Sequence, residues 1–448
     1  MKNRFKAPVL AVGAAFVLSG CDLLDVDNPN SLVEESVEQE AAANGMVNGA
    51  LQRVSVAISD VWEAYLVASD ELYWIGSRDA WFSLDHGFIG DPENEFSDSA
   101  FPQLGQAVWT ASNALRILQG HVDDPGIGWT TADFQKDYHR AQLFNGLILL
   151  IVGEVQEDMT FSDKQEDGAP VGPANMFMVL DDAISNLQSA AAGFAALGED
   201  ELEENAMGLL ARAQMSRAIW DVINPTAAGS YTPMSFATAA TTAATVLGMV
   251  SGDWQFTVEF SAGTASCSMC GNINSRKENQ LDLSLVTIDD SEDIDGIALM
   301  DPVSGAADLA LITRLDQWKG GSYLDSGDSY ASLTVTSARL MHLIIAEHEL
   351  STAGGAGSAF ETSINNIRSL DGEVTFVSGG AVTDMDMLAH TRRVNLVLTG
   401  LRLADMYRWG LSDPLWQGTS DAVTAPGTML PVTCIEQRAN SNYSGGRC

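Results

Sequence analysis

The chain has 448 residues, of which 46% are hydrophobic, so it can bury a substantial core as one large domain or as two to three smaller ones. Sixty acidic residues against 23 basic ones give a formal net charge of −37. A surface this acidic repels nucleic acids and anionic lipids, which makes both poor partners. Because the carboxylates are scattered rather than gathered in a block, we interpret them as an adaptation to salty surroundings, where screening makes high charge tolerable.

Residues 1–20 have the organisation of a secretory signal peptide. Three basic residues stand within the first six positions, and the apolar run that follows is twelve residues long, too short to span a bilayer. The run leads into Leu18-Ser19-Gly20-Cys21, which resembles the lipobox of bacterial lipoproteins. This resemblance implies cleavage before Cys21 and attachment of a lipid to its thiol, and two or more acyl chains make such an anchor effectively permanent.

The rest of the chain is predicted to be mainly α-helical. Residues 21–31 are interpreted as a short tether, and the main domain is predicted over 32–448. Ser31 with Glu34 forms a capping-box pattern, which predicts a first helix from about Leu32. Apolar residues recur at spacings of three and four over 103–120, 133–156, 176–196, 202–221 and 337–351. This pattern predicts TPR-like antiparallel helix pairs, although no strict 34-residue repeat occurs.

The segment 223–335 interrupts the helical pattern because it is rich in glycine, serine, threonine and aspartate. It contains three short runs typical of strands: WQFTVEF at 254–260, LDLSLVTI at 281–288 and ADLALITRL at 307–315. We interpret the segment as an irregular, loop-rich insertion with short strands, carried by the helical scaffold. Loops positioned by rigid elements are where binding residues concentrate.

Four further cysteines, Cys267, Cys270, Cys434 and Cys448, are disulfide candidates in an oxidising compartment. Proximity favours the pairs Cys267–Cys270 and Cys434–Cys448, and a bridge from Cys267 or Cys270 to the C-terminal tail stays open. The Cys-x-x-Cys stretch lies in a loop without the strand-to-helix context of a redox motif, which favours a structural role.

Three stretches of the chain share features with one known family. The first is CDLLDVDNPNSLVEES at 21–36; the second is SARLMHLIIAEHEL at 337–350, followed by AFETSINNIRSL at 359–370. The third is HTRRVNLVLTGLRLADMYRWG at 390–410, followed by MLPVTCIEQRAN at 429–440. Together they resemble the SusD/RagB-like outer-membrane nutrient-binding lipoproteins. Thr391, Asn395 and Thr399 depart from that family's pattern, because carboxylates usually stand there.

The resemblance implies a SusD-like helical fold and a non-catalytic receptor without a cofactor. Such proteins capture an oligosaccharide or a peptide and deliver it to a SusC-like TonB-dependent transporter in the outer membrane. The resemblance therefore implies a lipid-anchored protein exposed at the cell surface. Asp22, however, is an inner-membrane retention signal under some bacterial sorting rules, so the membrane face stays open. A surface lipoprotein hydrolase using unmarked carboxylates and a TPR-type assembly lipoprotein are the alternatives.

No sequence motif marks a metal or catalytic site. The stretch 289–296 resembles the start of an EF-hand loop, but Ser291 and Pro302 occupy two of the positions that need calcium ligands. His342 and His348 are interpreted as ordinary helix residues because their spacing fits no zinc motif. We therefore predict no metal centre.

The stretch 390–410 is predicted to be one helix with a structural role. The predicted helix has a broad apolar face, made of Val394, Val397, Leu398, Leu401 and Leu403. Gly400 lies in the middle of this helix, where glycine is unfavourable, and close packing against another helix would explain its presence. The stretch also concentrates four arginines, Arg392, Arg393, Arg402 and Arg408, with Asp405 three residues from each of the last two. We favour internal ion pairs over an anion clamp.

Two segments are candidates for contacting a ligand, because sugar capture needs aromatic faces beside polar groups. The first, 71–87, offers Tyr73, Trp74, Arg78, Asp79, Trp81 and Phe82, with Asp85 and His86 nearby. The second, 314–330, offers Trp318 and Tyr323, together with Lys319 and Tyr330. Burial of the 71–87 aromatics at a helix end stays open as an alternative, and Trp254 and Phe256 are interpreted as core residues.

Overall fold

The computed structural model describes residues 39–124, 131–163, 166–289, 293–443 and 448. The predicted signal peptide, Cys21, the tether and the Ser31–Glu34 capping box lie outside these residues, as does part of the EF-hand-like stretch. After a 3-10 turn at Glu40–Ala42, the chain enters its first helix. Among the helices described, none has the length and apolar character needed to cross a membrane.

Long helices packed in sequence order form the first half of the fold. They are α1 (Ala43–Val67), α2 (Ala80–Asp85), α3 (Glu95–Asp123), α4 (Ala132–Val155), α5 (Phe177–Leu197) and α6 (Asp200–Ile223). Helix α1 packs on α3 and α4, α4 on α5, and α5 on α6. The side chains of Asn94 and Thr131 accept N–H bonds at the starts of α3 and α4. The antiparallel helix pairs predicted from spacing are confirmed, and α3 begins earlier than predicted, with Pro102 inside it.

The second half continues the array with shorter helices. They are α7 (Ala237–Met249), α8 (Ser268–Gly271), α9 (Leu309–Lys319), α10 (Ala338–Thr352), α11 (Ala359–Leu370), α12 (Asp384–Asn395), α13 (Arg402–Trp409), α14 (Asp421–Thr424) and α15 (Cys434–Ala439). Helix α7 packs between α6 and α10, and α10 also contacts α11 and α12. The buried apolar side chains of both halves form one continuous core.

In the described part of the chain, six short strands form three two-stranded antiparallel sheets. Strands β1 (Leu72–Trp74) and β3 (Asn279–Leu281) pair, β2 (Gln255–Val258) pairs with β6 (Leu333–Ser337), and β4 (Val286–Ile288) pairs with β5 (Ile294–Ile297). Four of these strands lie within 223–335 and β6 begins there, and the same segment also contains helices α7, α8 and α9.

The strand predicted over 307–315 is wrong, because these residues begin helix α9. The Asp308 carboxylate accepts the N–H of Leu311 at 2.8 Å and so caps the first turn. Gly320 closes the helix in the left-handed region, with φ of 82°. The two capping residues therefore outweigh the apolar, strand-like composition between them.

The single helix predicted over 390–410 is also wrong, because α12 and α13 are separated by a turn at 396–401. Leu398 and Gly400 have φ angles of 60° and 74° in this turn. A Cβ atom on Gly400 would lie 2.6 Å from the indole Nε1 of Trp62. Gly400 is thus required by both its backbone conformation and its contact with α1.

The arginines of this region form buried ion pairs, as predicted. Arg392 and Arg408 each donate from Nε to Asp405, at 2.8 Å in both cases, and Arg408 also binds Glu347. Arg402 pairs with Asp70 at the end of α1, rather than with Asp405. The network holds α13 against α1 and α10 despite the family departures at Thr391, Asn395 and Thr399.

Two disulfides join neighbouring parts of the chain. Cys267 is bonded to Cys270, with Cα atoms 5.2 Å apart, and Cys434 to Cys448, with Cα atoms 5.5 Å apart. The first bond closes a loop that packs on α1, where the N–H of Ser268 donates to Ser59. A bridge between that loop and the C-terminal tail is not formed.

Candidate ligand-binding site

The first candidate segment is a strand, a tight loop and a short helix. In β1, Tyr73 pairs with Gln280 and Trp74 with Asn279 on β3. The loop at 75–78 is then held by a single residue, Glu278. Its carbonyl oxygen accepts the N–H groups of Ile75 and Gly76, at 3.1 and 3.0 Å. Its carboxylate accepts those of Ser77 and Arg78, at 3.1 and 3.2 Å.

Three aromatic side chains form a partly exposed cluster after this loop. We call Trp74, Phe82 and His86 the aromatic patch. Phe82 is 40% exposed and stacks on His86 with ring centroids 3.8 Å apart. Trp74 is half-buried and meets Phe82 edge-on at 6.1 Å. The patch therefore offers one accessible ring, that of Phe82, on helix α2.

Trp81, by contrast, is a core residue. It is 2% exposed and stacks on Phe96 with ring centroids 3.5 Å apart and planes 10° apart. Arg78 lies over the same Phe96 ring and forms an ion pair with Glu95. Trp81 thus presents no ring face to a ligand, whereas Asp79 is exposed and Tyr73 is half-buried.

Three buried carboxyl groups have raised pKa values: Asp85 and Glu71 of the first candidate segment, and Asp413, whose charge acts on Asp85. Burial, together with the negative charge of Asp413, raises the pKa of Asp85 to about 7. Burial raises the pKa of Asp413 itself to about 6, with a contribution from Asp282. Burial and the charge of Asp70 raise the pKa of Glu71 to about 8. These groups retain protons at pH values where an exposed carboxyl group has lost them.

The second candidate segment begins on α9 and continues into a loop. Trp318 lies in α9 and is 6% exposed, so it presents little ring surface outside the protein. Instead, it lines a pocket together with Gln255, Arg314, Gln317, Thr334 and Leu398, which we call the Arg314 pocket. Tyr323 is half-buried, with its N–H bonded to Asp316 at 2.7 Å, and Tyr330 is exposed.

The turn at 396–401 brings the two candidate segments together. The N–H of Leu398 donates to the Glu71 carboxylate at 3.2 Å, just before β1, and Leu398 also lines the Arg314 pocket. A second link joins Asn274, in the turn that precedes β3, to the carbonyl of Asp328 at 2.8 Å. Segments about 240 residues apart in sequence thus border one region.

Sequence reasoning missed Gln255, Thr334 and Leu398 as lining residues of this pocket. Gln255 and Thr334 come from opposite strands of the β2–β6 sheet, and their pairing depends on contacts distant in sequence. A partial signal was present, because Asp308 followed by an apolar run and Lys319-Gly320 fits a capped helix. Recognising α9 would have placed Arg314 and Trp318, four residues apart, on one helix face.

One group of potential metal ligands occurs in the part of the chain that the structure describes. Oxygen and nitrogen atoms of Asp301, Asp308 and His390 approach within 4.8 Å of one another. Both Asp301 oxygens are bound by Arg368, at 2.9 and 3.1 Å, and Asp308 is shared between His390 and the start of α9. We interpret the group as an ion-pair network, because its acceptors already have partners.

Comparison with known structures identifies the fold. A SusD homologue from Bacteroides thetaiotaomicron matches with a TM-score of 0.63 and 12% identity, over 92% of this chain and 98% of that one. A SusD-like carbohydrate-binding protein from Bacteroides vulgatus matches with a TM-score of 0.57 and 12% identity, over 91% and 97%. The chain has the SusD-like fold. Surface glycan-binding protein A from Bacteroides uniformis also matches, with a TM-score of 0.51 and 12% identity, over 86% and 91%.

The SusD-like fold is thus confirmed by shape over about nine-tenths of the chain. No protein-family sequence profile matches the chain, and no curated protein matches it in sequence. At 12% identity the comparison shows the fold and does not identify individual ligand contacts. The aromatic patch and the Arg314 pocket must therefore be judged on their own geometry.

Proposed function

We propose that the protein is a lipid-anchored, non-catalytic receptor that captures an oligosaccharide at the outer membrane. In this proposal it delivers the oligosaccharide to a SusC-like TonB-dependent transporter. The observation that carries the proposal is the aromatic patch, whose exposed Phe82 ring lies in helix α2 of a SusD-like fold. Structures that share this fold include carbohydrate-binding and surface glycan-binding proteins. The lipobox-like sequence ending at Cys21 supports the anchor.

The chemistry of the patch suits a sugar ring. The C–H face of a pyranose packs on an exposed aromatic ring, while its hydroxyl groups need nearby hydrogen-bonding partners. Phe82 and His86 supply the stacked rings, and the exposed carboxylate of Asp79 lies three residues before Phe82. Since Phe82 lies in helix α2 and His86 caps its end, little backbone ordering accompanies binding.

Binding to a panel of oligosaccharides and peptides tests the receptor function. Titration of the purified full-length protein in detergent should give saturable heat with an oligosaccharide and no new product by chromatography. Phe82→Ala should weaken that binding about tenfold, which corresponds to about 1.4 kcal/mol. Phe161→Ala is the matched control, because Phe161 is equally exposed but lies elsewhere. Equal affinities for both variants would refute the role of the patch.

One observation favours a second candidate, a glycoside hydrolase. A carboxyl group with a pKa near 7 beside a second carboxyl group is a pattern of glycosidases, and Asp85 with Asp413 fits it. Asp85 is buried, however, so a substrate would have to reach it from the aromatic patch. Release of reducing ends that is lost in Asp85→Asn would establish the hydrolase and overturn the receptor.

The anchor and the transporter are tested in cells. Metabolic labelling with a fatty acid should label the protein, and Cys21→Ser should abolish the label. Affinity purification from solubilised outer membranes should recover a large TonB-dependent β-barrel with the wild type. A protein that remains unlabelled would contradict the anchor, and recovery of the barrel without any saccharide binding would favour the assembly lipoprotein.

A further inference from the structure

The Arg314 pocket has a buried floor and an exposed rim. Arg314 is 8% exposed and Trp318 is 6% exposed, and both lie on α9 at the floor. Gln317 and Ser332 are exposed and border the opening. The open volume is about 50 Å³, whereas one water molecule takes up about 30 Å³ in the liquid. The pocket therefore fits a small substituent and not a whole sugar ring.

The hydrogen-bond acceptor in this pocket is already filled. The Oε1 atom of Gln255 accepts from Nη2 of Arg314 and from Oγ1 of Thr334, at 2.9 Å in both cases. Nη2 of Arg314 also approaches Oγ1 of Thr334 at 3.3 Å. Since these polar groups satisfy one another, they hold the guanidinium group in one orientation and offer no free amide oxygen to a ligand.

Two buried donors, by contrast, have no hydrogen-bond partner within the described chain. They are Nη1 of Arg314 and the indole Nε1 of Trp318. Nη1 forms an ion pair with Asp253 at 3.9 Å, which is too far for a hydrogen bond. Both Asp253 oxygens are instead bound by Arg339, at 2.8 Å each. Buried donors are normally satisfied, so the two unfilled ones indicate a missing acceptor.

We propose that the Arg314 pocket binds the carboxylate of an acidic oligosaccharide, such as one built from uronic acids. A carboxylate only accepts hydrogen bonds, matches a planar guanidinium group and carries the charge that Arg314 attracts. The carboxylate would enter the pocket while the sugar ring stays at the rim, near Gln317 and Ser332. This inference rests on the proposed receptor function and names its substrate class.

The pocket borders the 396–401 turn, which is bonded to the start of the first candidate segment. Leu398 lines the pocket and donates its N–H to Glu71, two residues before Tyr73. Selection of an anionic ligand by a chain of net charge −37 requires a local cation, and Arg314 supplies it.

The test compares trigalacturonate with its methyl ester, which keeps the shape of the trisaccharide and removes its charge. Calorimetry with the full-length protein should show at least tenfold tighter binding of the acid. Because the attraction is electrostatic, the preference should shrink when the salt concentration is raised from 0.1 to 0.5 M. Arg314→Gln should abolish the preference, and Arg53→Gln, at an exposed position on α1, should retain it.

Trp318→Phe provides a second variant, because it keeps a buried ring and removes only the N–H donor. It should reduce the preference for the acid about threefold. If Arg314→Gln fails to fold, this variant tests whether the pocket binds the carboxylate. Equal binding of acid and ester by the wild type would overturn the inference and leave the receptor function intact. Tighter binding of a tri-aspartate peptide than of trigalacturonate would overturn the assignment to sugars. Absence of binding by every saccharide would overturn the receptor function as well.

Discussion

Arg402 binds Asp70 through two hydrogen bonds, from Nε to Oδ1 at 2.5 Å and from Nη2 to Oδ2 at 2.7 Å. This buried pair joins the first turn of α13 to the end of α1, three residues before Tyr73. Burial alone would raise the pKa of Asp70, but the bonds and charge of Arg402 lower it below the ordinary value. The candidate site is therefore attached to the C-terminal helices by an ion pair.

Arg402→Met should destabilise the protein by about 3–5 kcal/mol, because it leaves Asp70 buried with Arg393 as its remaining cation, at 3.1 Å. Urea unfolding followed by circular dichroism measures the change. Arg438→Gln, which removes an exposed pair with Glu93, should change stability by less than about 1 kcal/mol. Similar losses of unfolding free energy in the two variants would show that the buried pair stabilises the protein no more than the exposed pair does.

Gly400→Ala should destabilise the protein by more than about 2 kcal/mol. The added Cβ meets the Trp62 indole. In addition, residue 400 has a φ angle of 74°, a backbone conformation that costs alanine more free energy than glycine. Gly418→Ala is the matched control, since no heavy atom lies within 4 Å of its Cβ position. Thermal unfolding of both variants should show a drop in Tm for Gly400→Ala alone. A Tm that is equal to the wild type would mean that the turn can rearrange.

Glu278→Ala should loosen the loop at 75–78, because the carboxylate that accepts the N–H groups of Ser77 and Arg78 is lost. Amide hydrogen exchange at these two residues should accelerate at least tenfold, and oligosaccharide binding should weaken in parallel. Glu201→Ala, at an exposed position in the first turn of α6, should leave both measurements unchanged. Faster amide exchange with unchanged oligosaccharide affinity would show that ligand binding does not depend on the order of this loop.

Stability should fall as the pH rises from about 4 to about 7, partly because of Asp85. An aspartate has a pKa of about 3.9 in an unfolded chain, whereas burial and Asp413 hold that of Asp85 at about 7. The folded protein therefore binds more protons than the unfolded chain in this window, so deprotonation disfavours the folded state.

Asp85→Asn should remove that contribution. Relative to the wild type, it should be more stable at pH 8 by about 2 kcal/mol and show no gain at pH 4. Urea unfolding at the two pH values measures the difference, and Asp79→Asn, at an exposed position, should show no such change. An effect of Asp85→Asn that is equal at pH 4 and pH 8 would contradict the raised pKa.

The sequence predicted the helical array well because its signals are local. Apolar spacing marks a helix face within a few turns, and the predictions over 133–156 and 202–221 correspond closely to α4 and α6. The errors occurred where one capping or turn residue decides the backbone. Asp308 turned a strand-like run into α9, and the turn at 396–401, with Leu398 and Gly400 at positive φ, interrupted a helix that the apolar pattern would have continued.

The candidate site was less predictable because exposure depends on the whole fold. Trp81 and Phe82 are adjacent in sequence, yet one stacks on Phe96 in the core and the other projects from the surface. Trp318, a predicted ligand contact, lies at the floor of a pocket whose other walls come from β2, β6 and the 396–401 turn. Composition indicated which residue types were present and not which ring faces were left uncovered.

By itself, the sequence determined the helical class of the fold and the concentration of arginines at 392–408. It also predicted that these arginines form internal ion pairs. The tertiary structure alone decided that Arg402 meets Asp70, 332 residues away, and that Leu398 joins the two candidate segments. The physical reason is the distance in sequence over which each interaction acts. Helix formation satisfies backbone groups within four residues, whereas a buried charge is satisfied by whichever carboxylate the packing of distant elements brings to it.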